Sequence, residues 1–160
     1  MTNDGDPSGV LLGKGWYYDE MPVGFRFRTK RRTITEADLG AFINLTWFTE
    51  DLFVNTEAGQ ERALKGRVVP AMMLYCFAEG LVCPSMEFTG LAFLSSEIDV
   101  KAPTVVGDTI HIECEVIEVR KAAKGNRGLV RTQNSIVNQR GETVLVYRPL
   151  RLVSGSPEQQ

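Results

Sequence analysis

Histidine is nearly absent from this chain: His111 is the only one in 160 residues. A mechanism that draws imidazole from this chain therefore has a single residue to rest on. Cysteine is sparse as well. Cys76, Cys83 and Cys114 form an odd set without metal-type spacing, and two of them lie in a strongly apolar stretch. They read as buried small hydrophobes, not as redox or metal groups. No apolar run approaches the roughly 20 residues that span a bilayer. Positive charge is not in excess either: 18 Lys and Arg stand against 20 Asp and Glu, a net charge of -2. Without a basic field there is nothing to hold a phosphate backbone by counterion release, so nucleic acid is excluded as a partner. The opening residues carry Asp4 and Asp6 where a secretion signal has a basic and then an apolar segment. The expectation is a cytoplasmic protein that engages no membrane, needs no cofactor and binds no metal.

What is present fits one domain with a full hydrophobic core. Residues 1–15 and 154–160 are rich in Gly, Ser, Pro, Asp and Gln and read as flexible ends. The domain is expected over residues 16–153, without internal repeats or linkers. Phe25 to Ile34 alternates with Arg26, Arg28, Lys30 and Arg32, which predicts a strand with one wet face. Thr35-Glu36-Ala37-Asp38 has the form of a capping box, and Leu39, Phe42 and Ile43 follow at helical spacing. From Pro70 to Leu81 there is almost no polar face, so that helix must be buried.

Four strands follow: Gly90 to Ala102, Thr109 to Arg120 with a bulge near Ile117, Leu129 to Val137, and Glu142 to Val153. They read as an antiparallel meander. One buried helix and a sheet of about five strands fit together only if the sheet curls round the helix. The fold class is thus α+β, a single hotdog domain. Its exposed sheet edge predicts a dimer joined edge to edge.

Five segments carry a family likeness: Tyr17 to Gly24, Thr33 to Asp38, Gly66 to Met72, Ala102 to Thr109, and Asn138 to Glu142. In this order and at these separations, the chain resembles the MaoC-like acyl-CoA hydratases and dehydratases of the hotdog fold. The resemblance implies an acyl-CoA or related thioester as ligand and hydro-lyase chemistry. It also implies an aspartate and a histidine in the loop between the two helices, where this sequence has Phe48 and Phe53. Phenylalanine moves no proton, and each missing acid or base typically costs about 10²- to 10⁴-fold in rate.

Glu50 and Asp51 lie between those positions, and a carboxylate enclosed by Trp47, Phe48 and Phe53 could act as a base. Facing solvent, the same pair would only decorate a helix start. Trp47, Phe48 and Phe53 are candidates to line an acyl pocket or to pack in the core. Pro70, Ala71 and Met72 open the apolar helix, where unpaired amides favour an enolate oxygen. Ala71 takes a place where the family often has glycine. Arg67, with Arg62 and Lys65, is a candidate for coenzyme A phosphates, while Lys121, Lys124 and Arg127 read as a solvated turn. His111 shares a strand face with Glu113 and Glu115 and is expected to be solvated. Three outcomes stay open: a homodimeric hydratase with an unusual base, a non-catalytic thioester-binding protein that is either a ligand sensor or the inactive half of a heteromer with an intact hotdog chain, and a carboxylate-dependent thioesterase.

Overall fold

The computed structural model describes residues 13–58, 64 and 66–157 of the protein. Strands β1 (Arg26–Arg28) and β2 (Arg32–Thr33) precede helix α1 (Glu36–Thr46), the short helix α2 (Asp51–Val54) and helix α3 (Ala71–Val82). Strands β3 (Gly90–Val100), β4 (Thr109–Lys121), β5 (Arg127–Val137) and β6 (Thr143–Ser154) complete the chain. The sheet runs β1-β4-β5-β6-β3, all antiparallel, with β2 on the start of β4. It packs against α3 as the hotdog arrangement requires. Ile110, Ile112, Cys114 and Val116 share one face of β4 and are all buried, together with Met73, Leu74, Ala78 and Val82 of α3. The bulge foreseen near Ile117 falls between Val116 and Glu118.

Two local devices fix the approach to the site. The Thr35 hydroxyl accepts from the Asp38 amide at 3.2 Å, and the Asp38 carboxylate accepts from the Thr35 amide at 2.9 Å. This is the expected capping box. Ahead of α3, Val68 pairs with Val105, and the Val69 amide donates to the Thr104 carbonyl at 2.9 Å. The loop before β4 therefore clamps the start of the buried helix.

Several expectations are corrected. The strand expected over 25–34 is interrupted, because the Thr29 hydroxyl takes the Ile112 amide at 3.0 Å in place of a main-chain acceptor. The last four strands are not a meander in chain order: β3 pairs with β6, from Gly90↔Val153 to Val100↔Leu145. The segment between β3 and β4 leaves the ladder to bond with Arg67 to Val69, so it crosses the fold instead of turning back as a hairpin. Helix α3 is not enclosed on every side, since Met72 and Cys76 are exposed, as is Cys83 just beyond it. Only Cys114 is the buried thiol expected of all three, and burial pushes it up to about 12.

At the ends, the Ser154 amide bonds Thr89, that of Gly155 bonds Asn126, and that of Ser156 reaches Asp19. These residues are thus tied into the fold rather than free as the first part of a tail. Residues 1–12 and 158–160 of the expected flexible ends lie outside the described residues.

Candidate functional site

Helix α1 ends at Trp47, which adopts a left-handed conformation with φ 61° and returns its amide to the Ile43 carbonyl at 2.8 Å. That reversal throws Trp47 outward and Phe48 inward. Trp47 is 83 % exposed, next to the equally exposed Leu45. It therefore faces solvent among the described residues. Phe48 sits between Phe42 and Phe53, with ring centroids 5.6 and 6.2 Å apart. Phe53 in turn packs on the core cluster that also receives Ala71 and Tyr75. Phe48, Phe53 and the first turn of α3 are thus brought to one side of the molecule.

Glu50 and Asp51 are not enclosed by these rings. Both are exposed at the start of α2, and Asp51 accepts from the Asn55 amide nitrogen at 3.1 Å. Adjacent residues in a single turn cannot all face the core, and here the rings take the inward positions.

Arg67 has a role that spacing alone does not reveal. It donates to the Glu36 carboxylate at 2.6 Å and to the Phe53 carbonyl at 2.6 Å. One side chain therefore pins the end of α2 to the start of α1, next to the first turn of α3. Its terminal nitrogens are engaged inside the chain, so it is not a free cation awaiting a phosphate. Arg62 and Lys65 lie outside the described residues. At the hairpin Lys121 and Lys124 are exposed, and Arg127 bonds the Lys124 carbonyl at 2.8 Å.

Pro70 is buried and precedes α3 as its cap rather than as its first helical residue. The amides of Ala71 and Met72 then open a helix of 12 residues. They have no partner in a preceding turn and lie at the positive end of the helix dipole. Met72 is exposed and Ala71 half-buried, so ligand atoms can approach this end.

His111 corrects a further expectation. It is buried, 8 % exposed, and its Nε2 lies 3.2 Å from Glu113. It faces Val137 across the β4–β5 ladder and belongs to the sheet, not to the loop of Phe48 and Phe53.

Two open grooves lie elsewhere. One of ≈ 440 Å³ is bounded by Arg26, Glu115 and Gln133, and one of ≈ 420 Å³ by Trp16, Arg28, Lys30 and Pro84. The first is walled largely by charged and polar side chains, the second also by Phe27, Leu81 and Val82, and neither is lined by Phe48, Phe53 or Ala71.

Comparison with known proteins bears on this arrangement. Residues 22–146, well over half of the chain, match the family described as "FAS1-like, dehydratase domain region". The (R)-specific enoyl-CoA hydratase of Rhodospirillum rubrum is 24% identical over 94 residues, covering 59% of this chain and 65% of that protein. The chain thus spans a little less than two thirds of that relative's length. The structure is similar to the MaoC-like dehydratase from Rhodospirillum rubrum, with TM-score 0.80 and 23% identity over 89% of this chain and 99% of the other. A Mycobacterium tuberculosis protein with a double hotdog fold gives TM-score 0.83 at 17% identity, covering 94% of this chain and 47% of the other. At these identities the structural likeness establishes the hotdog fold.

Proposed function

This chain belongs to the FAS1-like dehydratase-region family, in its MaoC-like hotdog form, and on that footing we propose that it is the ligand-holding half of a hydratase or dehydratase. In this reading it binds an acyl-CoA or related thioester beside α3, and a second hotdog chain supplies the proton-transferring groups. The observation that carries the proposal is the inward face of the loop after α1. It offers the rings of Phe48 and Phe53, while Glu50 and Asp51, between them in the chain, are exposed.

Adding water to an enoyl thioester needs a base for the water proton, an acid for the α carbon, and donors for the enolate oxygen. The amides of Ala71 and Met72 meet the third need. The first two are left to the partner. Phe48 and Phe53, standing where the family resemblance expects an aspartate and a histidine, would instead form an apolar wall beside the thioester.

Pairing is favoured by β3. Among the described residues it pairs with β6 alone, at one end of the sheet order, and it exposes Phe93, Leu94 and Val100, a surface that a second hotdog unit can cover. The double hotdog relative, of which this chain covers 47%, is consistent with a working unit made of two such halves. The unit proposed spans residues 16–153.

The test is to incubate the purified chain with crotonyl-CoA and 3-hydroxybutyryl-CoA and to follow binding by calorimetry and products by mass spectrometry. Binding without change of mass and without free thiol is expected. Gain or loss of water by the isolated chain would show that it carries its own acid and base. Free thiol would show a thioesterase. Hydration that appears only on adding a hotdog chain with an intact Asp and His loop completes the proposal.

A further inference from the structure

Of the cations that alternate through β1 and β2, Arg26 pairs with Glu115 at 2.9 Å and Arg32 with Asp38 at 2.8 Å. Arg28 and Lys30, which lie between them, form no ion pair among the described residues. Glu113 stands opposite Arg28 in the β1–β4 ladder, but its carboxylate lies 3.2 Å from His111. Both cations are exposed, and both border the groove of ≈ 420 Å³ beside the last turn of α3.

Three segments wall this groove. Residues 14–16 are held by the amides of Gly15 and Trp16, which donate to the Glu87 and Ser85 carbonyls at 2.9 and 3.0 Å. A Cβ on Gly15 would run into the Ser85 carbonyl, so glycine is what lets this segment lie so close. Residues 27–30 and the end of α3 with Pro84 complete the walls. The Trp16 and Phe27 rings have centroids 5.1 Å apart, and with Leu81, Val82 and Pro84 they make the lining largely apolar. Among the described residues no Asp or Glu lines it.

This lining selects an occupant by charge and polarity. Concave apolar surface takes the body of a small molecule while a few polar groups fix its head, and cations with no carboxylate beside them favour an anion. A nucleotide would bring several charges, with a sugar and base that need partners. The neutral hydroxyls in the lining are those of Ser85 and of Thr29, and the latter is already spent on the Lys30 carbonyl and the Ile112 amide. A single anion on an apolar chain fits better. The C-terminal end of α3 is the negative end of its dipole, so the anion belongs with Arg28 and Lys30 and the chain against Leu81 and Pro84. We propose that this groove is a second ligand site and that it binds an aliphatic carboxylate. At ~1.5 Å per residue, Leu81 lies about 15 Å along α3 from Ala71, so the groove and the first turn of α3 can be filled together. The inference stands independently of the thioester reading.

Titration of the full chain carrying Trp47→Phe with decanoate tests it, because Trp16 is then the one tryptophan left. A saturable change in Trp16 emission is expected, with the same midpoint by calorimetry. Decyltrimethylammonium, which has the same chain and the opposite charge, should bind at least about ten-fold more weakly. Arg28→Gln with Lys30→Gln should weaken decanoate binding about ten-fold or more and leave the melting temperature unchanged, since neither cation has an ion-pair partner to lose. No saturable response, or equal affinity for the two amphiphiles, would overturn the site. So would a double variant that binds decanoate as tightly as its parent. Crotonyl-CoA should leave decanoate affinity unchanged, and mutual displacement would put decanoate at the start of α3 and overturn the second site.

Discussion

Glu50 and Asp51 are the residues on which the two readings of this chain divide. If they served as the base, the Glu50→Gln, Asp51→Asn double variant would lose turnover. The exposure of both predicts that thioester affinity, and the rate of any complex with an intact partner, stay within about two-fold. Arg67 predicts the opposite: Arg67→Ala removes both ties between α1 and α2 and should cost about 1–3 kcal/mol in a urea melt, with weaker thioester binding. Asp108 sets an acid limit. Burial by itself would raise its carboxyl, but bonds from Gln139, the Val105 amide and Arg140 outweigh this and hold it below the usual range. Its stabilisation is therefore complete above the unfolded value near 4 and is lost as pH falls through the lower folded value. Urea melts of Asp108→Ala should lose about 1–3 kcal/mol at pH 7 and much less at pH 2. None of these three roles can be read from spacing, because the partners of Arg67 and Asp108 come from distant segments.

Elements were legible where the forces that make them are local. The Thr35 box starts α1 with bonds three residues apart, and Thr35→Ala should cost about 1 kcal/mol in thermal melts. Alternation placed β4 and its bulge, and the apolar run placed α3 to within a residue. What stayed hidden was which element met which. Two strands of similar composition offer no local reason for β3 to prefer β6 over β4, and the choice is made by the bonds between residues 101–108 and the start of α3. The exposed face of α3 was hidden too, because uniform apolarity says that a helix is covered and not by which chain.

The assembled molecule carries more exposed apolar surface than one domain needs. Leu45, Trp47 and Val54 are exposed on and beside the loop after α1, and Leu91, Phe93 and Leu94 lie on β3 with Phe88 just before it. Sedimentation should show a dimer or a larger species at micromolar concentration. Leu91→Lys with Leu94→Lys should shift it toward monomer by placing like charges on the open edge. The pairing of β3 with β6 also orders events during synthesis. The chain leaves the ribosome with β3 complete at Val100, yet β6, the strand it pairs with among the described residues, ends at Ser154. At ~5–20 residues per second, residues 101–154 take about 3–11 s to appear. For that interval the apolar β3 has no strand to join, and a nascent chain of this design depends on whatever shields it in the meantime.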